Sequence, residues 1–227
     1  MRIEGIQLGL QYMVSDAEPT VAFTDITIRL LDTGLHAVTG PSGCGKSSLL
    51  YVLSGLRRST AGTVYFDDTD VHGFTDHELS SLRKKRFGFI FQKHFLINAL
   101  SVLDNILVPL NAKDEKSMAL AAELMKKFAL SGMEARKPYE LSHGQRQRVA
   151  IARAFINSPE VIFADEPTAA LDGESTHIVM DFLKEKSMHS SILLISHDPC
   201  ILECANQVFY MKNGQINPIH DNCHGLL

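Results

Sequence analysis

The segment Gly40-Pro41-Ser42-Gly43-Cys44-Gly45-Lys46-Ser47 constrains this chain more than any other part of it. It fits the spacing G-x-x-x-x-G-K-S/T at every fixed position. A short apolar run from Leu35 to Thr39 precedes it and predicts a strand. The residues from Lys46 to about Leu56 predict a helix. Glycines at this turn let the backbone wrap closely, so that successive N–H groups can point at phosphate oxygens. The helix start adds the positive end of its dipole. Lys46 supplies a full charge for β- and γ-phosphates, and the Ser47 hydroxyl is placed to ligate Mg²⁺. Ser48 falls on the α-phosphate side.

A second half of such a site lies far downstream. Val161-Ile162-Phe163-Ala164 is a wholly apolar strand of the kind buried in a parallel sheet, and it ends in Asp165-Glu166. Asp165 at the strand tip can hold Mg²⁺ through water. Glu166, one residue further, points elsewhere and can polarise an attacking water. An apolar run ending in Asp-Glu is a weak signal alone and a strong one beside a phosphate loop.

The rest of the chain predicts an α/β fold. The first thirty residues alternate polar and apolar, as in Ile26-Thr27-Ile28-Arg29-Leu30, which predicts strands of a small antiparallel sheet. Gly62–Phe66, Phe87–Phe91 and Ile192–Ile195 predict further strands. Ala121, Leu124, Met125 and Phe128 share one face of a helix over residues 115–130. Val149, Ala152, Phe155 and Ile156 do the same over residues 144–157, which Pro159 ends. Residues 207–211, an Asn213-Gly214 turn and a closing strand predict a hairpin. One domain over residues 1–227 is expected, with a helical subdomain at about residues 93–145.

Bulk properties narrow the setting. No apolar run approaches the roughly 18 residues that cross a bilayer, and mean hydropathy is +0.01. The first residues, Met1-Arg2-Ile3-Glu4, do not make a secretion signal, so a cytoplasmic location is expected. Net charge is -4, which argues against a nucleic-acid partner. The basic run Arg83–Arg86 is expected to be a solvated helix end. Cys44, Cys200, Cys204 and Cys223 are expected to be reduced thiols. His220, Cys223 and His224, with Cys200 and Cys204, match no zinc spacing and are expected to be unrelated residues.

Four further places in the chain resemble one family. Leu141-Ser142-His143-Gly144-Gln145 is similar to the Leu-Ser-Gly-Gly-Gln signature of ABC ATPases. Gln92 stands where that family has its Q-loop, and His197 where it has its switch histidine. Ala170-Leu171-Asp172, after Asp165-Glu166-Pro167-Thr168, resembles the D-loop. The resemblance covers essentially the whole chain. It implies a P-loop NTPase of ABC type, with a RecA-like mixed sheet core, an antiparallel β subdomain and a helical subdomain. It also implies ATP and Mg²⁺, and two subunits stacked head to tail with ATP between one phosphate loop and the other's signature. In that arrangement Ser142, His143, Gly144, Gln145 and Asp172 meet the partner's nucleotide. Glu166, His197 and Gln92 do the chemistry, Ser47, Gln92 and Asp165 serve the metal, and Tyr12 stacks on adenine. Gln92 also links to a membrane permease.

The sequence departs from the pattern at His143, which replaces the first signature glycine, and at Ala169, where Ser or Gly is commoner. His143 is either a tolerated replacement or a titratable contact with γ-phosphate. Residues 78–83, 87–92 and 103–110 resemble the lipoprotein-release, macrolide-export and antimicrobial-peptide group. The function so implied is an ATP-hydrolysing subunit driving a separate permease. The alternatives are an ABC ATPase that transmits force without transport and a soluble ABC ATPase.

Overall fold

The computed structural model describes residues 1–13, 19–110, 112–169 and 171–221, with residues 220 and 221 described by their backbone only. In chain order its elements are β1 (Ile3–Tyr12), β2 (Thr20–Leu30), β3 (Gly34–Thr39), α1 (Lys46–Leu53), β4 (Ala61–Phe66) and β5 (Thr69–Asp70). Then come α2 (Asp76–Arg86), β6 (Phe87–Ile90), α3 (Val102–Leu107), α4 (Glu115–Lys127), α5 (His143–Phe155) and β7 (Val161–Asp165). The chain continues through α6 (Gly173–Ser187), β8 (Ser191–Ile195), α7 (Pro199–Cys204), β9 (Gln207–Lys212) and β10 (Gln215–Asp221).

These strands form two sheets. A four-stranded antiparallel sheet has the order β2-β1-β4-β5, and a six-stranded sheet the order β10-β9-β3-β8-β7-β6. In the second, β9, β3, β8, β7 and β6 run parallel and β10 returns antiparallel. Every residue of β3, β7 and β8 is buried. Strands covered on both faces favour apolar side chains at every position, which explains the apolar runs Val161–Ala164 and Ile192–Ile195, whereas β3 also buries His36. Ile162, Ala164, Ile192 and Leu194 face a core built with α3, α4, α5 and α6. Val161, Phe163, Leu193 and Ile195 face the other core, built with α1, α2 and the antiparallel sheet. Thus the parallel sheet is the partition between two cores, and its strand tips all lead to one edge. Thr39, Asp165 and Ile195 end β3, β7 and β8 there, and Gln92 follows β6. Ligand sites of open parallel sheets lie off this carboxyl edge.

Helix ends differ from the sequence expectation in instructive ways. Helix α1 stops at Leu53, not Leu56, because Ser54 caps it and Gly55 turns left-handed at φ +64°. Helix α5 starts at His143, since Ser142 is its N-cap in a capping box: Gln145 N donates to Ser142 Oγ (3.2 Å) and Ser142 N to Gln145 Oε1 (2.9 Å). Ala129, at φ +51°, closes α4 before residue 130. The Asn213-Gly214 turn has positive φ at both residues, as a two-residue hairpin turn demands. The basic run Arg83–Arg86 does form the end of a helix, α2, where cations favour the dipole. Cys200 and Cys204 are free thiols on α7. Cys223 and His224 lie outside the described residues.

Arg86 joins three segments. Its Nε and Nη2 donate to both carboxylate oxygens of Glu160 at 2.7 Å, and Nη2 also reaches Asp67 at 3.2 Å. The Arg86 hydrogen bond holds Glu160 below its usual carboxylate range. Burial acts to raise Asp67, but the Arg2 N–H and Arg86 outweigh it and hold Asp67 low too. A depressed carboxylate stabilises the fold above its unfolded pKa and stops doing so as pH falls through its folded pKa. Arg86→Met should therefore lower the melting temperature at neutral pH, with the deficit shrinking from about pH 5 to about pH 3. A deficit that is constant across that range would contradict this role for the charges.

Candidate functional site

The Gly40–Ser48 loop runs from the end of β3 into α1. Gly40 has φ +142°, and a Cβ there would collide with the Met211 carbonyl. Gly45, the residue before α1, has φ +106°, with the Ala22 carbonyl 2.8 Å from where a Cβ would stand. Gly43, at φ +76°, has open space around it. The first and third glycines are thus required by packing as well as by backbone conformation. The Lys46 ammonium is buried in the loop and donates to the carbonyls of Gly40 (2.6 Å) and Pro41 (2.9 Å). Cys44 Sγ donates to Met211 O at 3.2 Å, which pins the loop to β9. Pro41, Ser42 and Gly43 form the exposed crest.

The carboxylates arrive from β7. Asp165 is 7% exposed, and burial pushes its carboxyl above the usual value. The Glu166 charge adds to this, while the Ser47 hydroxyl and Lys46 oppose it. A buried carboxylate hydrogen-bonded to a serine hydroxyl is a set of hard oxygen donors, suited to a small divalent cation. Glu166 has φ +50°, a conformation a side-chain-bearing residue seldom holds. Its N–H donates to Ile195 O at 3.1 Å, and Gln92 Nε2 donates to its Oε2 at 3.3 Å. Strain of this kind collects at functional sites. Here it turns Glu166 off the sheet, into a cavity of about 200 Å³ shared with Thr168, Ala169, Ser196, His197 and Asp198.

Tyr12 reaches the first turn of α1, where its hydroxyl lies 2.8 Å from Ser48 Oγ. The Arg57 guanidinium sits 4.3 Å from its ring centroid. Asp172 caps α6 by accepting from Ser175 N at 2.8 Å. Ala170 lies outside the described residues. Gly40–Ser48, Asp165, Glu166, Gln92, His197 and Tyr12 thus gather at one edge of the sheet. The signature does not join them: among the described residues, no hydrogen bond links Ser142, His143, Gly144 or Gln145 to the loop. Ser142 and His143 are exposed.

Two contacts were not legible in the sequence. Gln147 Nε2, buried, donates to Pro167 O at 3.0 Å and so ties α5 to the segment after Glu166. His94 meets His143 edge to face, with ring centroids 4.4 Å apart. Burial first, then the charges of His143, Arg146 and Arg153, lower the His94 pKa to about 4. No spacing rule relates residues so far apart in the chain.

Comparison with known proteins agrees with this geometry. Residues 23–169 match the family model described as ABC transporter. The lipoprotein-releasing system ATP-binding protein LolD of Aquifex aeolicus is 42% identical over 184 residues, covering 79% of this chain and 82% of that protein. LolD of Buchnera aphidicola subsp. Schizaphis graminum is 39% identical, covering 84% and 86%. The macrolide export ATP-binding/permease protein MacB of Mannheimia succiniciproducens is 38% identical over 88% of this chain, which spans only 32% of that longer protein. Among solved structures, the ATP-binding cassette MJ0796, in a dimeric post-hydrolysis state bound to ADP and Pi, superposes with TM-score 0.89 at 30% identity. That match covers 96% of this chain and 99% of the other. The chain therefore belongs to the ABC transporter family, as an ATP-binding and ATP-hydrolysing cassette.

Proposed function

We propose that this subunit energises a separate integral-membrane permease by closing on a second cassette around ATP. The observation that carries the reading is the strained Glu166 at the tip of β7, held by Gln92 beside the buried Asp165. In this reading residues 1–227 form one ABC ATPase domain, with a helical subdomain at about residues 93–145. Lys46 leaves its loop carbonyls for the β- and γ-phosphates. Ser47, Asp165 and Gln92 hold Mg²⁺, which when bound offsets the phosphate charge. Glu166 accepts the proton of the attacking water, and His197 donates to the γ-phosphate. Tyr12 stacks on adenine, with Arg57 against its ring. Ser142, His143, Gly144 and Gln145, with Asp172, meet the nucleotide of the facing subunit. The Ser142 hydroxyl already accepts from Gln145 N, so its own proton remains available to a phosphate oxygen.

No helix among the described residues is long and apolar enough to cross a membrane. Membrane association then requires a docking surface. Next to Gln92, Phe95 is 64% and Leu56 44% exposed. With Tyr51, Phe91, Arg57 and Arg58 they line a groove of about 640 Å³. Such an apolar patch with a basic rim fits a cytoplasmic segment of a permease. The resulting location is peripheral, on the inner face of the membrane, and nucleic acid has no part in it. The test is co-purification from detergent. The wild-type chain should bring down a multi-span membrane protein, and Phe95→Asp should lose most of it while retaining nucleotide binding. Equal recovery with both would exclude this groove, and no membrane protein with either would contradict the proposed function.

A further inference from the structure

We propose that His94 is a positioning residue that sets the signature turn of this subunit, acting through His143. The inference rests on the ABC ATPase reading and concerns a residue pair that the family pattern does not supply, since a glycine at position 143 would offer no ring.

The geometry is a two-point attachment. At one end of α5 the His94 and His143 rings meet at 74°, with centroids 4.4 Å apart. Rings in this orientation place the electropositive edge of one on the electron-rich face of the other. The Nε2 atom of His94 is buried and makes no hydrogen bond, so the ring contact is what its surroundings offer it. Further along α5, Arg153 grips the same segment by its backbone: Nη2 donates to His94 O and Nη1 to Phe95 O, both at 2.7 Å. Residues 143 and 153 lie about 15 Å apart along a helix axis. These two attachments start from opposite ends of α5 and converge on residues 94 and 95, so they hold both ends of the helix to the segment after Gln92. Phe95, at φ +45°, is held in a conformation it would seldom keep unaided.

His143 adjoins Ser142, whose hydroxyl and backbone cap the same turn. Loss of the His94 ring removes this contact from the first turn, which keeps its capping box and the Arg146 bond to Leu141 O, while Arg153 still holds the rest of the helix. The catalytic carboxylate, its Gln92 partner and the phosphate loop are not touched. The effect should therefore fall on closure around ATP and not on the chemical step.

ATP hydrolysis by the full chain is measured against ATP concentration for His94→Ala and His94→Phe, each with His143 present and with His143→Gly. His94→Ala should raise the half-saturating ATP concentration about tenfold and leave kcat within about twofold. His94→Phe, which keeps a ring edge, should restore the wild-type value. In the His143→Gly background His94→Ala should add less than about a twofold change, because the partner ring is already gone. Should His94→Ala not fold, His94→Gln, which has no ring, takes its place under the same expectations. An equal rise in both backgrounds, a fall in kcat with unchanged half-saturation, no rise, or no rescue by Phe would each overturn the proposal. Binding of a fluorescent ADP analogue to the wild-type chain separates the two levels: its absence defeats the nucleotide reading itself, whereas its presence with no effect of His94 defeats only this inference.

Discussion

Glu166→Gln should lower ATP turnover by about 10² to 10⁴-fold, the usual worth of a general base. The amide has nearly the same size and can still hydrogen-bond a water, but it cannot take the water's proton. The phosphate loop, Lys46 and the Ser47–Asp165 pair stay in place, so ATP should bind as before. Removing one negative charge beside Asp165, whose protonated form Glu166 now favours, should also ease the approach of phosphate. Phosphate release under saturating ATP measures the loss, and calorimetry measures the retained affinity. Turnover near the wild-type rate would remove Glu166 as the base and make His197, in the same cavity, the next candidate.

Lys46→Ala should weaken ATP binding by at least about a hundredfold. Lys46 is the one residue of Gly40–Ser48 with a full positive charge, and hydrogen bonds to charged groups are each worth about 1.5–3 kcal/mol. The ammonium also holds the loop through Gly40 O and Pro41 O. Part of the loss will thus come from a loosened cradle, and a melting curve shows how much. Calorimetric titration with ATP measures the total. Wild-type affinity in the variant would mean that the nucleotide binds elsewhere.

What could be read from the sequence was local or periodic. The loop Gly40–Ser47 is contiguous, and each fixed position has its own steric or electrostatic reason. Buried strands such as β7 and β8 announce themselves because both of their faces are covered. The helix faces around Ala121 and Val149 follow from a period of 3.6 residues. Features set by tertiary approach were hidden. The left-handed backbone of Glu166 depends on Ile195 O from another strand. The contact of Tyr12 with Ser48 depends on how the antiparallel sheet sits against α1. His143 stood out as a departure from a pattern, yet its partner His94 came only from the fold. Helix α6 was missed because its polar first turn, Gly173-Glu174-Ser175-Thr176, hides the apolar face that Val179, Met180, Phe182 and Leu183 bury.

Among the described residues, no hydrogen bond joins Ser142, His143, Gly144 or Gln145 to the phosphate loop of the same subunit. In the proposed reading a second cassette completes the site, so assembly should depend on ATP. The direct measurement is the mass of Glu166→Gln by light scattering after size exclusion, with and without ATP and Mg²⁺. Without nucleotide the account predicts the mass of one chain, 25.2 kDa, and with ATP twice that. A mass that is the same in both conditions, whether of one chain or two, would contradict it.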